Sequence, residues 1–527
     1  MKILIAEPMA PAAIDMFRAV EGWNVVVSDP KTYLEHLGDA EALVVRSAVK
    51  VNQDVLAKAP KLKVIGRAGV GVDNVDMKAA TAAGVLVMNT PGGNAVSVAE
   101  HTLALMLSLA RIISQASAST KSGKWEKKKF LGNELRGKTL GVVGLGNIGR
   151  ELVLRARAFE MRIIGTDPYV NPQVAADLGA ELVSLDQLYT QSDYISLHVG
   201  VTEETRGMIN ASTIATMKDG VRIINCARGE LVNQADLLEA LNSGKVAGAG
   251  LDVFDPEPPK EGEPLLAAAN LIATPHIGGS TEEAQEIVGI RIVQQMIEYL
   301  RNGVAINAVN MPALSPEQYR SVEPWLAVAE RLGVFASYVA EGNPTAVRIT
   351  YRGKIASMNT QLMSYAGLAG VLNRSLEQNA NIVNAMVIAK GRGLAITESY
   401  ESRATSSDSI LLELTTGRGT TTVEGTLVLG KPRLIQAEGI TCEAGLTGHI
   451  VFMKNSDVPG VIGHVGTVLG RNSINIANFA LGRNEGVEGE RHAIALVETD
   501  QKVPEPVLAE LKTHKAVLVA RTVEFPA

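Results

Sequence analysis

Thr139 to Asp167, TLGVVGLGNIGRELVLRARAFEMRIIGTD, constrains the chain more than any other stretch. Thr139 to Val143 is a short apolar, β-branched run of the kind that forms a buried parallel strand. Gly144, Gly146 and Gly149 follow as G-x-G-x-x-G, and a helical pattern opens at Asn147. Leu152, Val153, Ala156 and Phe159 recur at helical spacing and are expected to face a sheet. A second strand, Met161 to Gly165, runs into Asp167, about 20 residues beyond the glycines, where a dinucleotide fold carries its ribose-binding acid. The first glycine permits a tight turn, the second lets backbone approach a pyrophosphate, and the third lets helix pack on strand. The helix N-terminus offers free N–H groups and partial positive charge to the phosphates. A carboxylate at 167 accepts hydrogen bonds from a 2′-hydroxyl and repels a 2′-phosphate, so NAD is expected rather than NADP.

A chain of 527 residues has room for three or four domains. The net charge of −6 exerts no general pull toward nucleic acid or membrane. Only two cysteines occur, Cys226 and Cys442, in no metal-like spacing. That usage suits a reducing compartment, and a cytoplasmic protein with no metal site is expected. MKILIAE reads as a first strand rather than a signal peptide, and no 18-residue apolar run lacks charges or breakers.

Residues 1 to 90 alternate strand and helix, as a small parallel α/β unit does. Arg46-Ser47 and Arg67-Ala68-Gly69 each follow an apolar run, at the strand ends where open α/β sheets bind ligands. Two such arginines with a serine and glycines beside them point to an anion pocket; two solvated arginines are the plainer alternative. Asn94 to Arg111 is a helix apolar around much of its circumference, expected between domains or subunits. His101 on it reads as a structural histidine. The basic loop Lys124-Trp125-Glu126-Lys127-Lys128-Lys129 is of a kind that usually forms a plain solvated face, but its position leaves it free to reach a neighbouring active site. Beyond Asp167 the alternation continues, and strands end at His198-Val199, Asn225-Cys226-Ala227-Arg228, Asp252 and Thr274-Pro275-His276-Ile277-Gly278-Gly279.

Arg228, Glu257 and His276 supply what hydride abstraction from a 2-hydroxy acid needs. A planar guanidinium holds a carboxylate and polarises the C2 oxygen. An imidazole with a pKa near working pH takes the hydroxyl proton. A carboxylate beside it fixes the tautomer and stabilises the cation that forms.

With RSA (46–48), GRAGVGVDNVD (66–76), GLGNIG (144–149), NCARGE (225–230), GLDVFDPEPP (250–259) and TPHIGGST (274–281), the chain resembles the D-2-hydroxyacid dehydrogenase family in its long form. The resemblance implies an α/β protein with a Rossmann-type doubly wound NAD domain and a flavodoxin-like α/β substrate domain. An α+β intervening domain and a ferredoxin-like ACT domain follow. The expected bounds are 1–93 with 283–310 for the substrate domain, 94–282 for the NAD domain, 311–446 and 447–527; Pro312, Pro316 and Pro324 mark the third boundary. By the same resemblance Arg228 is the substrate-binding cation, His276 the acid/base and Glu257 its partner. Asn147, Ile148, Asp167, Val199, Cys226, Ala227, Arg228, Asp252, His276, Gly278 and Gly279 fall with the three glycines in the NAD site. Arg46, Ser47, Arg67, Gly69 and Lys128 fall on the substrate side.

The long form implies oxidation of 3-phosphoglycerate to 3-phosphohydroxypyruvate, the entry to serine synthesis. A glyoxylate or hydroxypyruvate reductase and an NAD-sensing corepressor share the fold but have no such tail. The implied assembly is a homo-oligomer, at least a dimer and in full a tetramer. In the turn Asn455-Ser456-Asp457-Val458-Pro459-Gly460, Asp457 with Asn475 would hold L-serine as effector, although Asn455 replaces an aromatic of some serine-inhibited relatives. Read as residues alone, Asp457 is equally a helix N-cap and Asn475 a plain strand residue.

Overall fold

The computed structural model describes the chain except residues 375–379, 403–407, 485–491 and 526–527. Its first unit is a five-stranded parallel sheet in the spatial order Asn24–Val27, Lys2–Ile5, Ala42–Val45, Val64–Arg67, Leu86–Met88. This is the flavodoxin-like order 2-1-3-4-5. Helix Glu282–Asn302 returns to cover it, burying Ile292, Val293 and Met296 in the same core as Ile3 and Ile5. Gly66 permits that approach, because a Cβ there would lie 2.1 Å from the Met296 sulfur.

The second unit is a seven-stranded parallel sheet, ordered Leu271–Ala273, Val246–Leu251, Val221–Asn225, Tyr194–Leu197, Thr139–Val143, Arg162–Thr166, Glu181–Leu182. The strand order reverses between Thr139–Val143 and Tyr194–Leu197, the crevice in which doubly wound folds hold ligands. Helix Ala95–Arg111 buries Val98, Leu105 and Leu109 within this same unit, where they join the core of Leu140, Leu152 and Ile224. Its apolar girth is therefore largely satisfied by its own domain. Phe159, expected against the sheet, caps the helix Asn147–Ala158 at its C-terminus, where the last turn passes the edge of the packed face, and is 38% exposed.

Beyond residue 310 a six-stranded mixed sheet, Pro344–Arg352 to Ile440–Gly445, packs on the helices Pro316–Val339 and Gln361–Asn373. Pro316 sits at the first helical turn, where its missing N–H costs nothing. Pro324, expected to mark a boundary, lies inside that helix instead. Buried Val322, Trp325 and Val328 on either side hold the helix across the lost hydrogen bond. The last unit is a four-stranded antiparallel sheet, ordered Ile476–Arg483, His492–Thr499, His449–Ser456, Val517–Glu524, with helices Val461–Arg471 and Glu505–Leu511 on one face. Strand, helix, two strands, helix and strand in this order make a ferredoxin-like unit.

Helices Pro316–Val339 and Gln361–Asn373 approach backbone to backbone at two glycines. A Cβ at Gly370 would lie 2.0 Å from the Glu330 carbonyl oxygen, and one at Gly333 would lie 2.2 Å from that of Gly367. Gly370→Ala should therefore destabilise this unit by about 1–3 kcal/mol, the usual cost of overpacking. The expected reading is an earlier urea transition with unchanged kcat for dehydrogenation.

Candidate active site

The carboxyl ends of both parallel sheets face one cleft of about 700 Å³. Arg46, Ser47, Lys50, Arg67 and Gly69 line one side; Asp252, Glu257, His276 and Gly279 line the other.

On the cofactor side, Gly144 adopts φ +93, and a Cβ there would lie 2.6 Å from the His198 carbonyl oxygen and 2.9 Å from Val199. A side chain at Gly149 would strike the Gly144 carbonyl at 2.1 Å, so strand and helix touch through bare backbone. Around Gly146, by contrast, the space is open. The helix Asn147–Ala158 starts directly behind it with no side chain capping its first N–H groups. The Asp167 carboxylate accepts from Leu145 N at 2.8 Å and Tyr169 N at 2.9 Å, which fixes it against the glycine turn. Ile148 packs partly buried on the core. Cys226 and Ala227 are buried, and burial pushes the Cys226 thiol up to about 12, so it stays a neutral group. An open Gly146, uncapped N–H groups and an anchored acid are what a dinucleotide requires, and these residues fit NAD.

The side that carries His276 hangs on Asp252, 1% exposed at the end of strand Val246–Leu251. Its oxygens accept from Thr274 Oγ1 at 2.6 Å, Ile277 N at 2.9 Å and Gly278 N at 2.8 Å. Burial raises its pKa, but these bonds and His101 outweigh that and hold it below the ordinary carboxylate value. His101 Nε2 lies 3.0 Å from Thr274 Oγ1 and 3.4 Å from Asp252 Oδ1, so His101 braces the loop as a structural group. The loop carries His276 at φ +54, a left-handed conformation uncommon for a non-glycine residue.

His276 Nδ1 lies 2.8 Å from Glu257 Oε2, while Glu257 Oε1 accepts from Phe254 N at 2.9 Å. With Nδ1 donating to the carboxylate, Nε2 carries the lone pair. The Glu257 hydrogen bond raises the His276 pKa against the opposing effect of burial. For Glu257, burial raises the pKa but the bonds from His276 and Phe254 N leave it lowered overall. Arg228 donates from Nη1 to the Ala227 carbonyl at 2.7 Å, and Asn225 Nδ2 bonds the Arg228 carbonyl at 2.8 Å.

Facing these, Arg46 and Arg67 stand on the other sheet. Burial and the nearby Arg228 depress the Arg67 pKa, and its Nε lacks a hydrogen-bond partner among the described residues. Gly69 keeps this guanidinium in place, since a Cβ there would overlap it at 1.3 Å. Arg46 Nη1 donates to the Pro8 carbonyl at 3.0 Å. Lys128 does not join them; it sits exposed on the turn Lys127–Lys129, outside the cleft lining. Asp457 and Asn475 are not brought together either. Asp457 follows strand His449–Ser456, at the end where Ser456 pairs His492, and lies 3.5 Å from Arg483. Asn475 precedes strand Ile476–Arg483, whose Ile476 pairs Thr499 at the opposite end of the sheet, and bonds Asp500 at 2.8 Å. The intervening helix carries the chain back along the sheet, so the two residues lie at opposite ends within one chain.

Three supporting residues were not legible beforehand. Buried Glu7 accepts from the backbone N–H groups of Arg46 at 2.8 Å, Val49 at 2.9 Å and Ala48 at 3.1 Å. Asn74 donates to the Arg46 and Val49 carbonyls at 2.9 and 2.7 Å. Lys50 adds a further cation to the wall. The available signal for Glu7 was an acid directly after the first apolar strand, at the same sheet edge as the arginines.

A doubly wound NAD fold with a histidine–carboxylate pair opposite arginines defines the class of NAD-dependent dehydrogenases acting on 2-hydroxy acids. Residues 103–278 match the D-isomer specific 2-hydroxyacid dehydrogenase NAD binding domain; residues 321–438 match the D-3-phosphoglycerate dehydrogenase intervening domain, and 449–515 the ACT domain. The chain is 43% identical over 513 residues to D-3-phosphoglycerate dehydrogenase of Methanocaldococcus jannaschii, covering 97% of each chain. It is 41% identical over 529 residues to the protein of that name from Archaeoglobus fulgidus, covering 100% of each. Among solved structures it is similar to D-lactate dehydrogenase of Aquifex aeolicus complexed with NAD and lactic acid, at 30% identity and a TM-score of 0.52, over 59% of this chain and 100% of that one. The chain belongs to the D-3-phosphoglycerate dehydrogenase family, the branch of the D-isomer specific 2-hydroxyacid dehydrogenases with intervening and ACT domains. It is an NAD-dependent oxidoreductase.

Glu7→Gln replaces an acceptor of three N–H groups by an amide that presents its own NH2 to some of them. The expected loss is about 1–3 kcal/mol, the penalty for buried groups left unsatisfied. Chemical denaturation checks this, and NADH affinity should stay at the wild-type value.

Proposed function

We propose that the chain oxidises 3-phosphoglycerate to 3-phosphohydroxypyruvate, the entry step of serine synthesis. The observation that carries the reading is one cleft in which the His276–Glu257 pair faces a wall bearing Arg46, Lys50 and Arg67, with Arg228 beside it in an ion pair to Asp73. Arg228 holds the substrate carboxylate and polarises the C2 oxygen. His276 Nε2 takes the hydroxyl proton, and Glu257 stabilises the resulting imidazolium through Nδ1. NAD, when bound, accepts the hydride released from C2. Asp252 orients the nicotinamide, Asp167 the adenine ribose, and Arg46, Ser47 and Arg67 meet the phosphate. A substrate without phosphate, such as glyoxylate, leaves the arginine wall without a counter-charge. Assay of the purified protein with NAD and either phosphoglycerate or glycerate tests the reading, and equal turnover of the two acids would defeat it.

The reading divides the chain as 1–93 with 283–310, 94–282, 311–446 and 447–527, in line with the four sheets. Opposite-end placement of Asp457 and Asn475 favours an L-serine site completed by a two-fold copy, in which each end meets the other. Trp125 at 86% exposure and Leu131 at 87% bracket Lys127–Lys129, an arrangement suited to insertion into a second subunit. We therefore infer a homodimer at least, in which Lys128 reaches the partner's phosphate side. The reducing cytoplasm suits its two free, buried cysteines; among the described residues no single helix is long and apolar enough to cross a membrane.

Arg46→Ala and Arg67→Ala should each raise KM for phosphoglycerate on the order of tenfold to a hundredfold, as loss of a charge-assisted hydrogen bond does, with far less effect on glycerate. Because the His276 pKa is raised, the imidazole stays protonated to higher pH than a free histidine. The acid limb of kcat/KM for oxidation should then lie above the ordinary histidine value of about 6.5. Glu257→Gln should shift the limb to lower pH and lower the plateau. His276→Asn should abolish it with a rate loss on the order of 10²–10⁴. pH–rate profiles of the three proteins measure this, and an unmoved limb in His276→Asn would assign the base elsewhere. For assembly, sedimentation of Trp125→Ala with Leu131→Ala should show weakened association, whereas a fully active wild-type monomer at micromolar concentration would refute the dimer.

A further inference from the structure

Asp73 pairs with the guanidinium that the proposed function assigns to the substrate carboxylate. It lies on the loop after strand Val64–Arg67, 73% exposed, with its Oδ2 2.9 Å from Nη2 of Arg228, which follows strand Val221–Asn225 of the second unit. Gly71 makes the contact possible, since a Cβ there would lie 2.3 Å from Arg228 Nη2 and 2.8 Å from the Asp73 carboxylate. The other terminal nitrogen of the guanidinium, Nη1, is engaged by the Ala227 carbonyl. Arg228 is thus already paired with a carboxylate of the protein's own. Arg67 experiences Arg228 as repulsive and Asp73 as attractive.

We propose that Asp73 is a resident surrogate for the substrate carboxylate, pairing with Arg228 and yielding it when substrate enters. The proposal rests on the preceding reading of Arg228 as the carboxylate-binding cation. Asp73 acts through Arg228, as a positioning residue that sets affinity and selectivity. An exposed ion pair is weak, so its displacement should cost a factor of about two to five in apparent affinity. A ligand bearing both carboxylate and phosphate recovers that factor through Arg228 and the opposite arginines together. A ligand with phosphate alone leaves the Asp73 pair intact and faces its charge. The device is a repulsive element against partial ligands, added to the attraction for the complete one.

The test is Asp73→Asn in the full chain, with Asp73→Ser as a second charge-removing variant. KM and kcat for phosphoglycerate are measured, together with binding of oxalate and of inorganic phosphate to the NADH-bound protein. The expected result is a KM lower by about two- to fivefold with kcat unchanged, and tighter oxalate binding by a similar factor, with phosphate affinity changing less. A raised or unchanged KM in both variants would overturn the proposal, since Asp73 would then support Arg228 or be idle. Equal tightening of oxalate and phosphate would also overturn it, leaving only a diffuse charge effect. Failure of the underlying reading is separate: the wild-type protein would then not turn over phosphoglycerate at all.

Discussion

The Asp252 carboxylate is the fixed point of the wall that carries His276. A charge this deeply buried is tolerable only if its lone pairs are satisfied, and the donors come from Thr274, Ile277 and Gly278. Those donors are the segment on either side of His276. The same bonds that make the charge affordable therefore wrap the loop around it and hold His276 in its left-handed conformation. Only with the imidazole so held does its Nδ1 meet Glu257, whose other oxygen is anchored to Phe254 N. The histidine pKa, raised by that carboxylate, is thus a remote consequence of how one buried aspartate is satisfied.

The opposite wall uses the same device in a second form. Glu7 gathers the N–H groups of Arg46, Ala48 and Val49, and Asn74 holds the carbonyls of Arg46 and Val49. A turn with donors and acceptors both engaged is rigid, so the Arg46 guanidinium is presented from a stiff base. Both walls place a buried acid at the end of a parallel strand and use it to shape the loop that carries the working side chain. Parallel sheets make this available, because every strand end opens on the same edge.

Much of this was legible in the sequence. Gly144, Gly146, Gly149 and Asp167 announced the dinucleotide turn because each spacing answers to one local geometric need, and the sheet of 139–143 and 162–166 formed as read. Arg46 and Arg67 could be paired because both end apolar runs of one parallel sheet. Glu7 and Asp73 escaped notice because their roles are set by residues far along the chain, the first 39 positions from Arg46 and the second in a different unit from Arg228. Phe159 and Pro324 went astray for a related reason. Local periodicity says which face is apolar and which residue breaks a helix, but packing decides where a helix stops and whether its flanks can carry a lost bond. Asp457 and Asn475 looked adjacent in function, yet a strand–helix–strand connection sets them at opposite ends of the sheet.

The return of helix Glu282–Asn302 to the first unit has a consequence for how the chain is made. The first sheet is closed by residues beyond 300: Asn310 accepts from Val87 N and donates to the Val85 carbonyl, and Val309 N bonds the Val87 carbonyl. Val87 and Asn310 are 223 positions apart. At synthesis rates of about 5–20 residues per second, the N-terminal strands wait roughly 10–45 seconds for the segment that completes their cover. The NAD unit, contiguous in sequence, reaches the end of its own coding stretch first. The amino terminus of this protein is therefore among the last parts of its dehydrogenase half to close, and during that interval the apolar face awaiting Ile292 and Met296 is open to chaperones.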